Sequence, residues 1–145
     1  MLRFATLACP VASVLMALGL SPVVARAELP PWVYGERQRR APLVVQLRVL
    51  QAQRSGGEAR VRGQVLQVWR QPRTTSLKPG QAIEVRYSLP PERAPGWVGP
   101  SSLSLPGLGD AFTAWLLPID GSSATFAPAA GGRSFGPALE GVKEP

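Results

Sequence analysis

A chain of 145 residues, 45% of them hydrophobic and 17% charged, is long enough for one folded domain and too short for two of ordinary size. Its 16 Lys and Arg against 9 Asp and Glu give a net charge of +7, which favours acidic proteins, membrane surfaces or polyanions as partners. With no histidine and one cysteine, it lacks the commonest general base and metal ligand, and it has no second thiol for a disulfide or a Cys/His zinc site.

Residues 1–27 have the three parts of a cleavable secretory signal peptide. Arg3 supplies the positive start, Phe4 to Leu20 the apolar stretch, and Ala25-Arg26-Ala27 the small-x-small site after the Ser21-Pro22 break. Cleavage is expected between Ala27 and Glu28. A retained membrane anchor is the alternative, but Pro10 and Pro22 interrupt a run already short for a bilayer span. A lipoprotein needs its cysteine at the end of the apolar stretch, and Cys9 lies near the start. The expected product is an exported, basic, cysteine-free domain without a transmembrane segment, destined for periplasm, thylakoid lumen or medium.

Residues 28–40 read as a Pro/Arg-rich arm. Leu29-Pro30-Pro31 is stiffened by proline's fixed φ, Trp32-Val33-Tyr34 offers apolar surface, and Glu36 to Arg40 is strongly polar, with room for a short helical turn over 33–39. From Leu43 the apolar residues recur at every second position through Val45, Leu47 and Val49, the period of a half-buried strand reaching about Gln53. Ser55-Gly56-Gly57 signals a turn, and alternation resumes from Ala59 to Arg70. Its phase slips at Val65 and Leu66, just after Gly63, which predicts a bulge or bend. Lys78-Pro79-Gly80 turns the chain into a third strand over 81–89, where Ile83, Val85 and Tyr87 alternate with Glu84 and Arg86.

The stretch 90–109 is too dense in proline and glycine for regular structure and reads as a long loop carrying Trp97. Two further strands, 110–117 and 124–127, are expected to form a hairpin across the turn at Ile119 to Ser122. The domain is expected to span 41–136, followed by a flexible C-terminal tail, 137–145. Five strands and little helix predict an all-β fold, a small five-stranded OB-like antiparallel barrel, with a β-sandwich as the alternative.

Two long paired strands, then Lys78-Pro79-Gly80-Gln81-Ala82-Ile83-Glu84-Val85 and a late Phe112-Thr113-Ala114-Trp115-Leu116, resemble the OB-type barrel of netrin-like domains, shared by the tissue inhibitors of metalloproteases. Leu116-Leu117 and Phe126-Ala127-Pro128 fill the places of the closing strands over a match covering about 43–135. The resemblance implies the barrel. It does not carry the inhibitors' mechanism, which uses an N-terminal cysteine where this chain would begin with Glu28. The Gly- and Ala-rich style after residue 128 is also similar to small exported cyanobacterial proteins, which implies a location rather than an activity.

No catalytic group, cofactor site or metal site is expected. Paired carboxylates for glycoside cleavage remain formally open with Glu84, Glu92, Asp110 and Asp120, but Glu84 reads as a water-facing strand residue, and Asp110 and Asp120 flank turns, where carboxylates bond local amides. Gly107-Leu108-Gly109 and Gly131-Gly132 lack the spacing of a phosphate loop. Arginine is the feature above background: Arg37, Arg39 and Arg40 cluster in the arm, and Arg60 and Arg62 share one face of the second strand. Trp32, Tyr34 and Trp97 are the aromatics placed for contact, while Trp69 and Trp115 read as packing residues.

The expectation is an exported, non-enzymatic binding or assembly module. It would contact an envelope protein or anionic component through Trp32, Tyr34, Arg37, Arg39, Arg40 and Trp97, with Arg60 and Arg62 as a basic strand face. The alternatives are a hydrolase acting on an anionic polymer and a single-stranded nucleic-acid binder, the latter disfavoured by export.

Overall fold

The computed structural model describes residues 28–91, 99, 102–119 and 121–143. The signal peptide expected at 1–27, with Cys9, and the residues Trp97, Glu92 and Asp120 lie outside the described residues. The elements run α1 (Pro31–Arg40), β1 (Leu43–Ser55), β2 (Glu58–Arg70), β3 (Ala82–Ser88), β4 (Ala111–Pro118), β5 (Thr125–Pro128) and a 3-10 turn, Gly131–Arg133.

The strands close into a five-stranded OB-like barrel in the order β1-β2-β3-β5-β4, with β4 returning to β1. Closure removes the alternative of two packed sheets. Four of the pairings are antiparallel, while β3 and β5 run parallel through Glu84, Val85, Thr125 and Phe126. The two-residue turn at Gly56-Gly57 joins β1 to β2, with Gly56 at φ 59, a conformation that an L side chain rarely adopts.

Strand alternation places Leu43, Val45, Leu47 and Val49 of β1 inside with Val61 and Val65 of β2, Ile83 and Val85 of β3, Ala114 and Leu116 of β4, and Phe126 of β5. Burying these side chains, each worth about 1.5–3 kcal/mol when fully removed from water, is what a domain without a disulfide relies on. Gly63 is required by this core, because a Cβ there would lie 2.5 Å from Leu47 Cγ. The register slips where the alternation does. Gln46 faces Gln67 but Leu47 faces Val65, so Leu66 is an extra residue on β2, and Trp69 is another between Val68 and Arg70. These bulges bend the long β1–β2 ribbon enough to serve both sides of a small barrel.

A second, smaller cluster lies outside the barrel. Val44 and Trp115 project from β1 and β4, and Ala41, Val142, Trp69 and Leu139 cover them. The expected arm is therefore a folded helix. Pro31 starts it, since proline's fixed φ suits the first helical position and its missing N–H would have had no partner there. Residues 137–143, expected as the beginning of a flexible tail, pack against this helix instead, with Val142 buried. Residues 134–136 run beside β4, where Trp115 N donates to Ser134 O at 2.8 Å and Gly136 N to Thr113 O at 2.9 Å.

Candidate functional site

The residues singled out in the arm divide according to the side of α1 on which they fall. Tyr34, Gly35 and Gln38 form the buried side. Tyr34 is therefore a packing residue, not a contact residue, and its hydroxyl donates to Glu28 Oε1 at 3.2 Å. Gln38 is wholly buried and binds the C-terminal segment with its entire amide. Its Nε2 donates to Arg133 O at 2.8 Å and Pro137 O at 3.3 Å, and its Oε1 accepts from Leu139 N at 2.9 Å. Nothing in the sequence flags this glutamine within a polar run.

On the outer side of α1, Glu36 holds Arg39 at 2.5 Å and Arg40 at 2.6 Å, the spacings of neighbouring helical turns. The hydrogen bond from Arg39, reinforced by the charges of Arg39 and Arg40 against a smaller desolvation effect, holds the Glu36 carboxyl below its ordinary range. Arg70, from the end of β2, donates to Arg39 O at 2.8 Å and Ala41 O at 2.9 Å, satisfying carbonyls that the helix end leaves open. Of the arm residues, Trp32, 71% exposed, and Arg37 are open to a partner, and Arg39 and Arg40 are exposed too although each is engaged with Glu36.

Arg60 and Arg62 project from the outer face of β2, as alternation required. The pairing adds residues from both neighbouring strands. Arg60 stands between Gln53 of β1 and Arg86 of β3, Arg62 between Gln51 and Glu84, and Gln64 between Arg48 and Ala82. Arg48, Arg60, Arg62 and Arg86 thus share one face with two carboxylates, Glu58 beside the β1–β2 turn and Glu84, which is bound by Arg86. Among the described residues Arg48, Arg60 and Arg62 have no ion-pair partner. Arg48 and Arg86 were visible in the sequence as polar positions between core residues. That β1 and β3 both flank β2, bringing them beside Arg60 and Arg62, came only with the topology.

This face runs into an open groove of about 520 Å³ across β2, β1 and β4. Gln46, Trp69, Ala111 and Thr113 line it, with residues 136–138 as its far bank. Arg48, the next outward position on β1 after Gln46, lies opposite Ala111, at the end of the groove that meets the arginine face. Phe112 also contributes, but its ring is stacked on Phe135 at 4.5 Å between centroids. Below, burial holds the Tyr87 phenol up to about 12, so it stays a neutral donor to Ser104 O at 2.9 Å.

The two described carboxylates of the hydrolase alternative do not meet. Glu84 sits on β3 beside Arg86, while Asp110 precedes β4 and its Oδ2 accepts from Gly107 N at 2.8 Å. Among the described residues no three acidic side chains gather as a metal ion would need, and no helix is long and apolar enough to cross a membrane. The chain matches no known family model and no curated protein.

Proposed function

We propose that this chain is an exported, non-catalytic binding module that holds an anionic partner on the outer face of β1, β2 and β3. The observation that carries the reading is the direct juxtaposition of Arg60 with Arg86, itself held by Glu84, across β2 and β3, beside Arg62 and Arg48, which have no ion-pair partner among the described residues. Like charges set opposite each other on a sheet destabilise it, so their gathering is understandable where an anion neutralises them. The position also suits the barrel, since OB-type folds commonly bind extended ligands on the face around strands 2 and 3. Export rests on the leader-like residues 1–27.

The test is binding of the purified protein to a uronate polymer, heparin and phosphatidylglycerol vesicles at increasing salt. The expected result is affinity for at least one polyanion that weakens steeply as salt screens the charges, and that falls about tenfold or more in the exposed double variant Arg60→Ala/Arg62→Ala. No affinity for any polyanion at low salt, or equal affinity in the double variant, would sink the reading. A second reading, docking of an envelope protein on α1, is supported by Trp32 at 71% exposure beside Arg37. Including Trp32→Ala in the same series separates the two surfaces.

A further inference from the structure

The arginine face does not end at β1. Along that strand the outward positions run from Gln53 and Gln51, past the bulge, to Arg48 and then to Gln46 in the groove. On β2 the matching series is Arg60, Arg62, Gln64 and Gln67. Guanidinium groups and carboxamides therefore interleave over one continuous surface, which ends at the partly buried indole of Trp69.

From this arrangement we infer that the anionic partner is an acidic polysaccharide, with one sugar ring seated against Trp69 in the groove and the following anionic groups carried along Arg48, Arg62 and Arg60. The inference rests on the anionic-partner reading and names its ligand class. Three features of the surface favour a glycan. Each carboxamide offers both donors and an acceptor, the combination that matches a sugar hydroxyl, and Gln46 places one at the groove itself beside the hydroxyl of Thr113, which can also donate and accept. The groove falls within the usual size of small-ligand sites, and Trp69 gives an apolar wall for the face of a pyranose. Outward neighbours are about 7 Å apart along a strand and about 5 Å apart between strands, close to the length of one sugar unit.

A single-stranded nucleic acid needs a different surface. Its bases stack on successive aromatic side chains, whereas among the described residues this surface offers Trp69 alone, since Phe112 is already covered by Phe135 and Trp115 is buried. Arginine and glutamine can also bond base edges, so the distinction from a nucleic acid rests on stacking and is left to the oligo-dT arm of the experiment.

The experiment measures binding of hexagalacturonate, a twelve-residue oligo-dT and phosphatidylglycerol vesicles to the purified protein and to Gln46→Ala, Trp69→Phe and Arg60→Ala/Arg62→Ala, each first checked for folding by circular dichroism. Hexagalacturonate should bind, and its affinity should fall about fivefold in Gln46→Ala through loss of the groove hydrogen bond. It should fall more in the double arginine variant, while oligo-dT should be indifferent to Gln46→Ala. Gln46 lies at the surface, so its variant keeps the test intact if Trp69→Phe fails to fold. Hexagalacturonate binding that needs the arginines but ignores both groove variants would overturn the polysaccharide assignment and leave the anionic face standing. Tighter binding of oligo-dT or vesicles with the same groove dependence would replace the ligand class. Failure of every polyanion to bind would remove both readings together.

Discussion

Arginine gathers in two places on this molecule, and the two differ in what surrounds it. Around the outer side and C-terminal end of α1, Arg39 and Arg40 hold Glu36 and Arg70 holds the carbonyls of Arg39 and Ala41. On the outer face of β1, β2 and β3, Arg60 stands opposite Arg86, and Arg48 and Arg62 have no ionic partner among the described residues. A helix places residues three and four apart side by side, so a single Glu36 can serve two arginines of its own segment. A strand places its neighbours on other strands, so partners depend on the register of the sheet. At the helix Arg39, Arg40 and Arg70 are all held, whereas on the strand face Arg86 alone of its four arginines has an ionic partner among the described residues.

The comparison breaks most easily at Gln38, whose side chain joins α1 to three backbone groups of the C-terminal segment. Replacing it with Ala leaves those groups without partners at a buried site and should destabilise the protein by about 1–3 kcal/mol. Urea unfolding followed by tryptophan fluorescence measures this, and hydrogen exchange at the Leu139 amide should accelerate in the variant. A change below a few tenths of a kcal/mol would mean the segment is held by Val142 and Leu139 packing alone.

On the open face the sign reverses. Arg60→Gln removes one member of the Arg60–Arg86 juxtaposition without emptying the core, so it should raise stability by about 0.2–1 kcal/mol while weakening polyanion binding. Stability and binding moving in opposite directions is the signature of residues kept for a partner. A loss of stability in Arg60→Gln would instead make that face part of the structural framework.

Much of the barrel was legible in the sequence because strand alternation in β1, β2 and β3 is nearly unbroken, and the slip at Leu66 located a bulge from the phase change alone. The parallel pairing of β3 with β5 was not, because pairing direction is set by chain topology and not by the local pattern. The helix was underread for a different reason. Its buried side consists of Tyr34, Gly35 and Gln38, which give no apolar stripe, and its stability comes from contacts with residues about a hundred positions away. The binding face was half legible. Arg60 and Arg62 share a strand and so declare themselves, whereas Arg48 and Arg86 join them only through sheet order.

The smallest effect expected from the comparison is a pH dependence that belongs to α1. Glu36 has its carboxyl held below the ordinary range by the hydrogen bond from Arg39 and the nearby charge of Arg40, so the folded state binds this proton less readily than the unfolded chain. The stabilisation is therefore present above the ordinary carboxylate range and is lost as pH falls through the lowered folded value. Because the group is exposed, the contribution is small, as for most surface ion pairs. It is best seen as a difference. Thermal midpoints of the wild type and Glu36→Gln, followed from neutral to strongly acidic pH, should converge as Glu36 becomes protonated, since the other carboxylates titrate in both proteins and cancel. The same series on Arg60→Gln should show no such convergence, because arginine keeps its charge throughout. If the Glu36→Gln difference persisted unchanged into acid, the ion pairs of α1 would contribute nothing, and the helix would be held by Gln38, Tyr34 and Arg70 alone.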